Sequence, residues 1–166
     1  MCGIVGYVDD SKAELKDDVI KKMMDRIIHR GPDQAGEYVD DHVALGFRRL
    51  SIIDVKSGSQ PIFNEDNSKA ILFNGEIYNF RPLREQLIER GHKFETHTDT
   101  EVILHGFEEW GEDVCKHLRG MFAFVIWDRK THVLFGARDH FGIKPFYYAK
   151  MNGTFMFGSE IKAFLD

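Results

Sequence analysis

Cysteine and proline are scarce: the 166 residues hold two of the first and four of the second. Cys2 and Cys115 stand in unrelated local contexts, so no disulfide framework is specified and a reducing, cytoplasmic setting is expected. There is no Pro- or Ser-rich linker, no low-complexity tract and no internal repeat, so residues 1–166 read as one domain. Basic charge is also short, with 22 Lys and Arg against 27 Asp and Glu and a formal net charge of -5. That balance excludes nucleic acid and anionic membrane as expected partners, since both select clustered Lys and Arg. The apolar runs are strand-sized and too short to cross a bilayer. Residues 1–10 lack the basic stretch and long apolar core of a signal peptide. No Gly-rich phosphate loop occurs. The eight histidines are scattered, and neither His92 with His97 nor His97 with His105 makes a convincing ligand set, so no metal is expected.

What is present is ordinary for a globular chain, 43% hydrophobic and 30% charged, apart from fourteen Phe, which suggest aromatic layers between sheets or between sheet and helix. Strands are expected at residues 4–8, 43–53 and 70–73, the last ending in a turn at Asn74-Gly75. Residues 14–29 place Leu15, Val19, Met23 and Ile27 at helical spacing and stop at Gly31-Pro32. A second helix opens at Pro82, carries Leu83 and Leu87, and stops at Gly91. Thr98 followed by Glu101 has the form of a capping box for a third. Residues 121–127 and 133–137 suit a hairpin, as do 147–149 and 154–157 around Asn152-Gly153, and 160–165 reads as a short helix. Many strands on short turns imply mainly antiparallel sheets, and helices with one apolar face must cover them, giving an α+β layered protein.

Cys2 is the first candidate for chemistry. A small residue after the initiator Met permits removal of Met1, leaving an α-amine on the cysteine with a pKa of about 7.7–8.0, near enough to neutrality to act as a base. Nucleophile and base then reside on one residue. By itself, a cysteine at position two reads first as a small residue opening a buried strand, and only its neighbours change that. Asn74-Gly75 is a turn signal, but an Asn amide beside a backbone N–H also suits an oxyanion. Arg49 offers the planar fork that grips a carboxylate, and Asp99 the anion that meets an ammonium, although an acid in a first helical turn also serves the helix dipole. Arg48 adds an ambiguity, because adjacent strand residues face opposite ways and only one of the pair enters a pocket. Cys115 reads as a small residue on a buried face.

Taken in order, Met1-Cys2-Gly3-Ile4-Val5-Gly6, His29-Arg30-Gly31-Pro32-Asp33, Arg49-Leu50-Ser51-Ile52-Ile53-Asp54 and Asn74-Gly75-Glu76-Ile77-Tyr78-Asn79 resemble the class II glutamine amidotransferases. Gly120-Met121-Phe122-Ala123-Phe124, Arg138-Asp139-His140-Phe141-Gly142-Ile143-Lys144-Pro145 and Ser159-Glu160-Ile161-Lys162-Ala163 extend the likeness over nearly the whole chain. Within that family it is most similar to the N-terminal glutaminase domain of glutamine-dependent asparagine synthetases. The resemblance implies an N-terminal-nucleophile hydrolase fold, a four-layer α-β-β-α sandwich of two antiparallel sheets. It implies Cys2 as nucleophile and Asn74 with Gly75 as oxyanion hole. Arg49 would bind the glutamine α-carboxylate and Asp99 with Glu76 its α-amino group, while Leu50, Ile52 and Ile53 would line the site. Arg30 and Asp33 would support it from behind. Phe146 departs from the commoner Leu after Pro145, a difference that bears on packing.

The family's ATP- and aspartate-binding domain, with its Ser-Gly-Gly-x-Asp-Ser signature, is absent from these residues. The expected substrate is therefore L-glutamine, with no cofactor in this domain; ATP and Mg belong only to an attached synthetase domain or subunit. Homo-oligomerisation is compatible with the sequence. The Asp139-His140 segment is expected to be structural, with residues 141–148 forming an interface to a partner domain. Two other readings remain: an amidotransferase serving another acceptor, and a non-catalytic module that binds glutamine.

Overall fold

Apolar residues alternate along the strands and recur on one stripe of each helix, so each element has one face to bury. In the computed structural model, which describes residues 1–10, 13–50 and 59–165, these faces stack in four layers. One sheet is formed by β1 (Gly3–Val8), β2 (Gln34–Val39), β3 (Val43–Arg49), β8 (Tyr147–Met151) and β9 (Thr154–Gly158), in the order β2-β3-β1-β9-β8. The other holds β4 (Ile62–Phe63), β5 (Lys69–Ile77), β6 (Gly120–Asp128) and β7 (Val133–Arg138), in chain order. Every pairing within the sheets is antiparallel.

Between the sheets lie Ile4, Val43, Leu45, Phe47 and Phe157 from the first and Ala70, Leu72, Ala123, Val125 and Trp127 from the second. Helix α1 (Ala13–Arg26) covers the outer face of the first sheet through Ile20, Met23 and Met24. Helices α2 (Phe80–Glu89) and α3 (Asp99–Trp110), with the short α4 (Val114–His117), cover the second. The α-β-β-α sandwich implied by the resemblance is the observed fold. Phenylalanines fill both interfaces on either side of the second sheet, Phe73, Phe122 and Phe124 toward the helices and Phe47 and Phe157 between the sheets. Among the described residues no helix is long and apolar enough to cross a membrane.

Three expectations need correction. Leu15 and Val19 are exposed, because α1 is rotated so that Lys16, Ile20, Met23 and Met24 face inward. The fully buried Lys16 ammonium sets this rotation: it pairs with Asp9 at 2.8 Å and donates to the Asp41 carbonyl at 3.1 Å. The Asn74-Gly75 turn does not exist, since β5 runs through both residues to Ile77. Gly75 serves close approach instead of a turn, because a Cβ there would sit 2.2 Å from the Met121 carbonyl oxygen across the ladder. Finally, Thr98 does stand at the N-cap of α3, but its side chain caps nothing. Its hydroxyl bonds that of Thr96, and Glu101 accepts from the Glu95 and Thr96 N–H groups and the Thr96 hydroxyl, at 2.9, 2.7 and 2.6 Å.

Strands β2 and β4 were not anticipated; β2 is half-exposed with a polar sequence and β4 has two residues. The strand expected at 43–53 ends at Arg49, with 51–58 outside the described residues. The hairpin turn at Asn152-Gly153 is as expected, both residues having positive φ, 51° and 86°.

Glu101 is a stability determinant of α3. Burial pushes its carboxyl up, but the nearby His105 imidazole, 3.9 Å away, and bonds from Thr96 and the Glu95 and Thr96 N–H groups outweigh burial and bring it to about 2. A depressed acid stabilises the fold above its unfolded pKa, and this contribution is lost as pH falls from about 4.5 towards 2. Glu101→Gln is expected to lower stability by about 2 kcal/mol at neutral pH, with the deficit shrinking through that acid window, as read by denaturant melts across pH. An unchanged melt at neutral pH would contradict the assignment.

Candidate active site

Side-chain parity brings the chemistry-bearing residues onto the two facing sheet surfaces. Cys2 lies two positions before Ile4, and Arg49 two after Phe47, so both continue the inward face of the first sheet. Asn74 and Glu76 continue the inward face of β5 after Ala70 and Leu72. The ambiguity between the adjacent arginines is thereby resolved. Arg48 turns outward, donating to the Met24 carbonyl at 3.2 Å and pairing with Asp25, while Arg49 turns inward, is buried, and donates to Gln34 Oε1 at 2.9 Å.

The two sheets are registered by three links. Trp127, opposite Ala70 on β5, donates from Nε1 to Asp40 at 3.1 Å, beyond the end of β2 and next to the start of β3. Gln60 lies against Gly36, which pairs with Phe47, and its amide holds both backbone groups of Phe73, accepting from N–H at 2.6 Å and donating to C=O at 3.1 Å. Strand β5 thus runs from the Val43 end of the first sheet toward the Ile4–Phe47 level, and residues 74–77 continue to the end where Cys2 and Arg49 sit. Lys144 closes the same end: its N–H donates to Asp139, which binds the Phe122 N–H opposite Gly75, and its ammonium reaches Met1 Sδ at 3.3 Å.

Cys2 is half-buried, with its thiol 3.9 Å from the Leu50 carbonyl. Arg30 fixes its backbone, donating from Nε to the Cys2 carbonyl at 3.1 Å and pairing with Glu160 at 3.2 Å. The preceding turn packs tightly on β3: Asp33 N–H donates to the Arg49 carbonyl at 3.1 Å, and a Cβ on Gly31 would lie 2.4 Å from the Arg48 carbonyl carbon. Asp33 itself is exposed. Met1 is 56% exposed, so its removal would empty no part of the core.

Asn74 is 3% exposed, and its Nδ2 is a buried donor with no partner among the described residues. Such an orphan is rare enough in native proteins to demand a reason. Gly75 supplies a second donor. The Phe73 N–H leaves β5 away from β6 to reach Gln60, and the Ile77 N–H does the same to reach Asp99 Oδ2 at 2.9 Å. The Gly75 N–H lies between them at the strand period of two and points off the same edge.

Asp99 is half-buried behind that edge, with Glu76 exposed beside it. Burial lifts the Asp99 carboxyl above its ordinary range; the Ile77 N–H opposes this, and the Glu76 charge adds to the rise. Ile52 and Ile53 lie outside the described residues. Gln34, Gln60 and Lys144 were missed in the sequence, where a lone polar residue beside a strand carries no signal of what it will meet across a fold. Asp139 is structural, as expected, its carboxylate accepting from the N–H groups of Phe122, Phe141, Ile143 and Lys144. Cys115 is partly buried against the helix-side core. Two of the histidines do gather at one place, contrary to expectation: His92 and His105 meet Glu65, supplied by the distant β4–β5 turn, and Glu108, three residues after His105 on α3.

A cysteine at the head of a central strand, facing an orphaned amide across two antiparallel sheets with helices outside, is the arrangement of the N-terminal-nucleophile hydrolases. Residues 1–166 match the family described as glutamine amidotransferase domain, and the chain belongs to it, in class II. It is 49% identical over 168 residues to asparagine synthetase (glutamine-hydrolysing) 1 of Bacillus subtilis strain 168, covering 99% of this chain and 27% of that protein. It is 44% identical over 170 residues to asparagine synthetase (glutamine-hydrolysing) 3 of Arabidopsis thaliana, covering 100% of this chain and 29% of that one. The chain thus spans under a third of these relatives' length. Among solved structures, glutamine phosphoribosylpyrophosphate amidotransferase from B. subtilis has the same fold, with a TM-score of 0.81 at 22% identity over 98% of this chain and 43% of that one.

Proposed function

We propose that residues 1–166 are the glutaminase unit of a glutamine-dependent synthetase, converting L-glutamine to L-glutamate and ammonia through a thioester on Cys2. The observation that carries this reading is the buried, unpartnered Nδ2 of Asn74 on the sheet face opposite the cysteine strand. With Met1 removed, the Cys2 α-amine takes the thiol proton as Sγ attacks the side-chain amide carbon. The oxyanion that forms accepts from Asn74 Nδ2 and the Gly75 N–H. Collapse passes the proton to the leaving nitrogen, releases ammonia and leaves a γ-glutamyl thioester, which water then cleaves to glutamate and free thiol. Arg49 receives the substrate α-carboxylate, and Asp99 with Glu76 receives the α-ammonium. Leu50, Ile52 and Ile53 line the pocket, while Arg30 and Asp33 hold the strand ends that carry Cys2 and Arg49.

No step in this cycle asks for a cofactor. ATP and Mg would serve only a following synthetase domain, and the likeness to glutamine-hydrolysing asparagine synthetases favours asparagine synthesis as the fate of the ammonia. Such a domain would dock on the exposed Phe141, Ile143, Tyr147 and Tyr148, held up by the Asp139-centred loop beside the active end. This reading carries a cytoplasmic setting with it, supported by the two unpaired cysteines. The direct test is ammonia release from glutamine by the Met-processed chain, with and without its synthetase portion; no release from either form would overturn the reading.

Asp99 gives this function a pH signature. Its raised carboxyl must be ionised to hold an ammonium, so KM for glutamine should rise as pH falls through that elevated value, while kcat is less affected. Asp99→Asn should raise KM and flatten this acid limb. A KM profile identical in the variant would contradict the role. The same raised pKa means that ionised Asp99 is a stability liability above that pH, so Asp99→Asn should not destabilise the fold through charge.

A further inference from the structure

The geometry points to a structural zinc site formed by Glu65, His92, His105 and Glu108, outside the set of residues assigned to glutamine. The four come from three segments: Glu65 from the β4–β5 turn, His92 from the loop after α2, and His105 and Glu108 from successive turns of α3. Their ligand atoms all lie within 4.8 Å of one another. Each imidazole presents Nδ1 to both carboxylates. His92 Nδ1 is 3.3 Å from Glu65 Oε1 and 3.8 Å from Glu108 Oε2. His105 Nδ1 is 3.5 Å from Glu65 Oε2 and 3.0 Å from Glu108 Oε2. A tetrahedron with zinc bonds of about 2.0–2.2 Å has edges of about 3.3–3.6 Å, so these separations bracket the size that a zinc ion spans.

The second ring nitrogens strengthen the case. A metal-binding imidazole ordinarily gives its other N–H to a carboxylate, which fixes the tautomer. His92 Nε2 meets Glu109 Oε1 at 3.2 Å. His105 Nε2 is buried without a hydrogen-bond partner among the described residues, with Glu101 Oε1 at 3.9 Å on that side. Both histidines are therefore oriented with Nδ1 toward the shared centre and Nε2 toward an outer acid. The carboxylates are held too: the Lys93 N–H donates to Glu65 Oε1 at 3.1 Å, and Asn64 Nδ2 donates to Glu108 Oε1 at 2.6 Å. His105 is 1% exposed while the Glu65 side chain is 33% exposed, so the centre is enclosed on the helix side and open to metal entry on the turn side. Two imidazoles with two carboxylates form a closed, charge-neutral set for a divalent ion that imidazole and carboxylate both suit. The ion would pin the β4–β5 turn and the α2–α3 loop to α3, the helix that carries Asp99 at its first position.

The test uses the full chain as Cys2→Ala, which removes the half-exposed thiol as a competing ligand. After stripping with EDTA, zinc titration by calorimetry should show one ion per chain, and added zinc should raise Tm by several degrees, reversibly with EDTA. Cobalt should give the visible absorption of a four-coordinate site. His92→Gln and Glu65→Gln, both at the accessible side, should abolish the Tm rise and the cobalt band, and Glu109→Gln should weaken zinc by about 10–100-fold. A stripped chain that binds no zinc, or zinc binding and cobalt absorption unchanged by His92→Gln and Glu65→Gln, would show that the cluster is an ion-pair network only and overturn the proposal.

Discussion

Cys2→Ser is expected to reduce glutamine hydrolysis by about 10⁴–10⁶-fold, the scale seen when a nucleophile is lost from a preorganised site. The substitution is nearly isosteric at a half-buried position whose thiol lies 3.9 Å from the Leu50 carbonyl and whose backbone bond to Arg30 is untouched, so the fold and glutamine binding should survive. The cause is protonic. A thiol is a few per cent thiolate at neutral pH, and an α-amine of pKa about 7.7–8.0 can remove the rest. A hydroxyl is far less acidic than a thiol, so the same amine generates much less nucleophile from serine in a site shaped for sulfur. Glutamine affinity by calorimetry should stay within the parent's range while turnover vanishes. Serine-variant turnover near the parental rate would mean that sulfur is not the nucleophile.

Asn74→Ala should cut kcat by about 10²–10³-fold with little change in KM. In the fold the Asn74 Nδ2 donates to no described partner, so no native hydrogen bond through that atom is lost. What disappears is a donor waiting for charge that develops only when the thiolate attacks. The Gly75 N–H remains, and residual turnover should therefore exceed that of Cys2→Ser. Steady-state kinetics on the two variants checks the order. Equal losses in kcat and in affinity would assign Asn74 to ground-state binding and remove it from the oxyanion hole.

Much of the fold could be read from hydrophobic period: the two hairpins, the helix stripe of Leu83 and Leu87, and the stop at Gly91 with φ of 101°. The misreadings arose where local chemistry was overruled by a distant partner. Asn74-Gly75 is a turn by propensity, and a strand because Phe122 packs across it with room for no side chain. Leu15 and Val19 fit a helical stripe, and the buried ion pair of Lys16 with Asp9 turned that stripe outward. Glu101 was placed as a capping acid, and serves the preceding loop instead.

The site was legible mainly through resemblance. Residue types alone favoured an ordinary strand-opening cysteine at Cys2 and did not choose between helix-start acid and ligand for Asp99. The fold adds what spacing could not supply. Strand parity chooses Arg49 over Arg48, and the Gln60 and Trp127 bridges bring residues 74–77 to the cysteine end. The Glu65, His92, His105 and Glu108 cluster was invisible for the same reason, its members being gathered from three segments by tertiary packing.

The most direct check is intact-mass analysis and peptide mapping of active protein after exposure to an electrophilic glutamine analogue. The account predicts a chain lacking Met1 and carrying one adduct on Cys2, formed in step with the loss of activity and blocked by glutamine. Full turnover from a chain that keeps Met1, or an inactivating adduct on Cys115 instead, would contradict it.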